Sequence, residues 1–125
     1  MKTGLAALLS VVSLLAVCVP MSAHHGNVAY DETKIVVVKD AKVTKFMWTN
    51  PHCLILFDAN DEKGNVLHWA VEGGSPSALT PAGWTRNSVK PGDVITVYLH
   101  QSKAGTPVGR ETKVVLADGT ELSDR

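Results

Sequence analysis

Period-two alternation runs through nearly every apolar segment downstream of residue 33, and a single short helix-start signal interrupts it. In "VLHWAVE", Leu67, Trp69 and Val71 fall on one face and Val66, His68, Ala70 and Glu72 on the other. In "VITVYLH", Ile95, Val97 and Leu99 alternate with Thr96, Tyr98 and His100. The first set of each segment is the core-facing one. A chain built of such half-apolar strands has to bury them against another sheet layer, which means a barrel or a sandwich.

The order of segments narrows the choice. The β-branched run "IVVV" continues through Val43 and Thr44 toward Trp48, with Asp40 marking a bend, so residues 34–48 read as one long curved strand. "TNPH" then turns the chain, because Pro51 excludes Asn50 from helical backbone. "CLILFD" is a buried strand, 59–65 a polar loop with Gly64, and 66–72 the returning strand, with Asp58 expected opposite Val66. In "SPSALTPAGW" Ser75 is placed as N-cap and Pro76 at the first helical position, while Pro81 and Gly83 stop the helix after one or two turns. Leu79 and Trp84 are expected to pack on the sheet. After the "KPGD" turn come strands at 94–100 and in "RETKVVLA", and Asp118-Gly119 turns into a short last strand near Glu121 and Leu122. A helix between strands three and four predicts an all-β, OB-fold-like, five-stranded Greek-key barrel; a small β-sandwich is the alternative.

Residues 1–23 read as a secretory signal. Lys2 is the one charge, an apolar run covers 4–19, and Pro20 precedes the small residue Ala23. The run is shorter than the ~20 residues that span a bilayer, so cleavage after Ala23 is expected, with no transmembrane anchor left behind and a periplasmic or secreted product. Residues 24–125 then form a single domain with a flexible segment over about 24–32. Loss of Lys2 leaves 11 basic against 12 acidic residues, and no basic patch speaks for nucleic acid. Cys18 departs with the leader, so Cys53 stands alone without a disulfide partner.

The stretches "HHG", "VTKFMWTNPHCLILFD", "HWAVEGGSPSALTPAGWTRNSVKPGDVITV" and "TKVVLADGTEL" resemble the small exported bacterial proteins grouped as domain-of-unknown-function family 6152. The resemblance covers essentially the whole mature chain and implies a secreted single-domain β-protein with no assigned activity. Members of that group usually begin His-His-Ser; this chain has His-His-Gly.

The candidate chemistry is sparse. Cleavage after Ala23 gives His24 a free α-amine beside its imidazole, a pair that chelates Cu(II). With His25, and with His100 or His52 brought in by the fold, these residues form the candidate copper site. Two terminal histidines bind copper in almost any exported peptide, and Gly26 and Asn27 favour a mobile end. His52 beside a turn more often orders that turn, and its register sets it away from His68. Cys53 points to the face opposite His52, which excludes a direct thiolate–imidazole pair. "DANDEKG" lacks the glycine and glutamate positions of a calcium loop. Trp48 and Tyr98 fall on the outward phase and are the candidate ligand platform. No nucleophile–base–acid motif, carboxylate pair or phosphate loop is legible, so a non-catalytic binding or accessory protein is expected. Its partner would be a small molecule, a peptide or an envelope protein.

Overall fold

The computed structural model describes residues 29–124. The expected leader and the histidines His24 and His25 lie outside them.

The long first strand, β1 (Val36–Met47), serves both sides of a barrel because it bends. Its N-terminal half pairs with β4 (Val94–Gln101), and its C-terminal half with β2 (Leu54–Asn60). Against β4 the register steps from Val38–Val97 to Ala41–Ile95, so β1 carries an extra residue where Asp40 adopts φ 52°. A second shift against β2 falls between Val43 and Lys45. Such bulges add bend and twist to the strand that contains them. Asp40→Val is expected to cost about 1–2 kcal/mol, since a β-branched side chain meets its own carbonyl in left-handed backbone. Asp40→Gly is expected to be tolerated; urea denaturation of the two variants checks the pair.

β2 runs antiparallel to β3 (Val66–Glu72), with Asn60 opposite Val66 and Leu54 opposite Glu72. Asp58 therefore stands opposite His68, not Val66. The sequence expectation misses by two residues because Ala59 and Asn60 continue the strand. Asp61 closes the shorter loop by accepting the backbone N–H groups of Lys63 and Asn65. His68 donates Nδ1–H to Asp58 Oδ1 at 2.6 Å, and His52 and His68 do not face one another.

After β3 the chain enters helix α1 (Pro76–Leu79) with Ser75 as N-cap, its hydroxyl accepting the Ala78 N–H. A 3-10 turn over Thr80–Ala82 ends at Gly83, whose φ of 93° is the left-handed stop that glycine allows. Leu79 and Trp84 are buried, as expected from their spacing after the cap.

β4 pairs antiparallel with β5 (Val108–Val115), and β5 closes the sheet by pairing in parallel with β3. The circuit β1-β2-β3-β5-β4 returns to β1, with α1 between β3 and β4. This is the OB-like five-stranded barrel predicted from the order of segments. A short β6 (Glu121–Ser123) adds to the far half of β5. Phe57, Val71, Val97, Leu99 and Val114 fill the interior, and Phe57 stacks on Trp69 with ring centroids 5.9 Å apart.

Candidate functional site

β5 changes partner midway. Val108 to Arg110 pair with Ala70 to Glu72 of β3, whereas Lys113 to Val115 pair with Ser123 to Glu121 of β6. Glu111 and Thr112 pair with neither, so the barrel wall has a seam at that point. On the other edge of β5, Glu111 lies opposite Leu99 and Lys113 opposite Tyr98, which leaves Thr112 as an extra residue. That bulge is what lets Glu111 and Val114, three residues apart, both point inward.

Glu111 is consequently a carboxylic acid inside the barrel, 2% exposed. Gly73, next after β3, leaves room for it: a Cβ there would lie 3.0 Å from Glu111 Oε1. Both Glu111 oxygens and Oδ1 of Asp124 are buried, and no described group other than the two carboxyls themselves bonds them. Burial above all, then the hydrogen bond to Asp124 and its charge, pushes the Glu111 carboxyl up to about 10. At neutral pH Glu111 keeps its proton and directs it toward Asp124. The neighbouring Cys53 thiol is buried as well, and desolvation raises its pKa, so it is an unreactive apolar filler.

Asp124 is held in place from the helix side. Trp84 donates its indole N–H to the Ser123 carbonyl at 2.9 Å, which fixes the end of β6. A cavity of about 420 Å³ opens over this floor, with Glu32, His100 and Arg110 at its rim. The Arg110 guanidinium is bound to the Glu32 carboxylate. His100 donates Nδ1–H to the carbonyls of Lys34 (2.8 Å) and Asp31 (3.2 Å), which turns Nε2 toward Glu32 at 3.6 Å.

The segment leading into β1 supplies that rim. Tyr30 bridges to Ser102, Asp31 N–H donates to the Gln101 carbonyl, and Lys103 N–H donates to that of Ala29. Burial, with a hydrogen bond to Glu72 second, pushes the Tyr30 hydroxyl up to about 12. Part of the stretch expected to be flexible is thus tied to the end of β4.

The residues selected from sequence are dispersed. His52 donates to the Gly73 carbonyl at 3.1 Å, the turn-ordering role set beside its metal role. Among the described residues, no three His, Cys, Asp or Glu side chains are grouped to hold a metal ion. Trp48 does not face outward. The bulge between Val43 and Lys45 shifts the phase of β1, so Phe46 and Trp48 pack against the core, edge to face at 6.1 Å. Tyr98 lies on the outer face opposite Val37, toward the other end of β1, under the Lys113 ammonium at 4.5 Å. Trp48 and Tyr98 therefore do not form a joint platform. Of the cavity residues, His100 alone was singled out by the sequence. Glu111 was hidden, because strict alternation from Val114 assigns it to the opposite face.

A family model described as "Family of unknown function (DUF6152)" matches residues 11–111. No curated protein and no solved structure matches the chain. Among the described residues no helix is long and apolar enough to cross a membrane.

Proposed function

Since the chain belongs to the family of unknown function DUF6152, whose name assigns no activity, we propose from the seam itself that this is an exported, non-catalytic binding module. Its ligand site is the cavity over Glu111 and Asp124. The observation that carries this reading is a buried pair of carboxyl groups, Glu111 and Asp124, bonded by no other described group and lining a cavity. Leaving buried acceptors unbonded costs about 1–3 kcal/mol each, and a bound ligand with donor groups would recover that loss. The volume is also in the range of small-molecule sites, roughly 300–1,000 Å³.

A thermal-shift screen of small polar metabolites against the native protein and Glu111→Gln tests the reading. Compounds that raise the melting temperature of the native protein and leave Glu111→Gln unmoved are the expected result. Equal shifts in both proteins would place binding elsewhere.

Copper capture through His24 and His25 is the second reading. What favours it is His100, whose Nδ1 is committed to backbone carbonyls while Nε2 stays directed to the rim. The chain enters the described region beside that ring. Titration of Cu(II) into protein with a mass-verified N-terminus decides it. Affinity no greater than that of a free His-His-Gly peptide would end the copper reading.

A further inference from the structure

Taking the seam cavity as the binding site proposed above, we infer that its ligand is a small molecule carrying a primary ammonium group, held by Glu111 and Asp124. Apart from the proton that Glu111 directs to Asp124, no described group donates to the three buried acceptor atoms there, Glu111 Oε1, Glu111 Oε2 and Asp124 Oδ1, and loss of that proton leaves all three open. A primary ammonium brings three N–H donors and one positive charge on a compact head. A guanidinium also brings donors and charge, but on a wide planar fork, whereas the ammonium concentrates both at one point. A hydroxyl supplies one donor and no charge. An anion would meet two carboxyl groups. A metal ion needs several converging ligands, and the described residues form no such group.

The surroundings agree with a cation on the floor. Among the described residues, the titratable groups that act on Glu111 or line the cavity beside it include Asp124 from the segment after β6, the Cys53 thiol from the lead-in to β2, and Arg110 next to it on β5. His100 and Glu32 face it from the rim. Arg110, the permanent cation among them, is bound to Glu32 and so is drawn toward the rim rather than the floor. Gly73 keeps the Glu111 carboxyl free of a crowding Cβ. When the ammonium enters, Glu111 gives up its proton to solvent and its carboxylate takes the cation in exchange. Binding therefore releases a proton and strengthens as pH rises, until the free amine itself begins to lose its charge near pH ~10.

Isothermal titration of the purified full-length protein tests this, using n-butylammonium, n-butanol, tetramethylammonium, acetate and Ca²⁺ in turn. Measurement at pH 7.5 in phosphate and in HEPES counts the protons released. The expected result is saturable binding of n-butylammonium with release approaching one proton. n-Butanol (donor without charge) and tetramethylammonium (charge without donor) are expected to bind at least tenfold more weakly. Glu111→Gln is expected to lose both the binding and the proton release. Asp124→Asn is the second variant, and serves should Glu111→Gln fail to fold. Glu111-dependent binding of n-butanol, acetate or Ca²⁺ without n-butylammonium would overturn the ammonium assignment and leave the cavity as a site. No heat from any probe, together with unmoved NMR signals at Thr112 and Ser123, would overturn the site and its ligand together.

Discussion

Glu111→Gln is expected to stabilise the protein at pH 8 by about 1–4 kcal/mol and to flatten its stability between pH 5 and 8. Glu111 titrates far above the ordinary value of 4.5 in the folded chain and near it when unfolded. Below the ordinary value both states hold the proton, and no difference arises. Above it the folded state alone retains the proton, so stability falls as pH rises, by up to about 1.4 kcal/mol per pH unit for one proton. The loss continues until the folded-state value is reached. The side-chain amide of glutamine mimics the protonated acid: it can donate toward Asp124 and it never ionises. The lowered carboxyl values of Asp31, Asp61 and Asp118 act in the opposite sense, and only where pH falls below the ordinary carboxylate range. They leave this window to Glu111. Guanidinium melts of both proteins at pH 5, 6.5 and 8 provide the check. Parallel slopes would mean that Glu111 is not the group retaining the proton.

The second large effect is at Trp84. Trp84→Ala is expected to cost about 3–5 kcal/mol, the range for emptying a fully buried aromatic site. The side chain is 1% exposed and packs beside Phe46 at 6.1 Å, so little can collapse into the space. Trp84→Phe separates packing from polarity. It keeps most of the volume but removes the donor to the Ser123 carbonyl, with an expected loss of about 1–3 kcal/mol. Because that bond fixes the end of β6, Trp84→Phe should also loosen Asp124 and weaken any Glu111-dependent binding at the seam. Urea denaturation measures the first effect and ligand titration the second. A loss below about 1 kcal/mol for Trp84→Ala would contradict the packing described.

The barrel was legible because its signals are local. Ser75, Pro76, Pro81 and Gly83 delimit a helix without reference to the rest of the chain, and the faces of 66–72 and 94–100 follow from alternation alone. The site was not legible, because it depends on three departures from alternation. The bulge near Asp40 was visible as a bend. Those at residues 44–45 and at Thr112 carry no glycine or proline to announce them, and each reverses the phase of the strand beyond it. One turned Trp48 from an exposed platform to a half-buried side chain packed against the core, and the other turned Glu111 from a surface charge into an interior acid. Asp124 was unreadable for a different reason: its place is set by an indole that bonds the carbonyl of Ser123 from thirty-nine residues upstream in the chain.

β3 and β5 meet over three residue pairs, whereas β1 and β2, or β2 and β3, meet over five or more. A cask is as tight as its shortest joint, and here that joint adjoins the acid it encloses. Springing this one stave would wet Glu111 while the other hoops stayed closed. The protein could thus admit water or a guest to its interior without first coming apart.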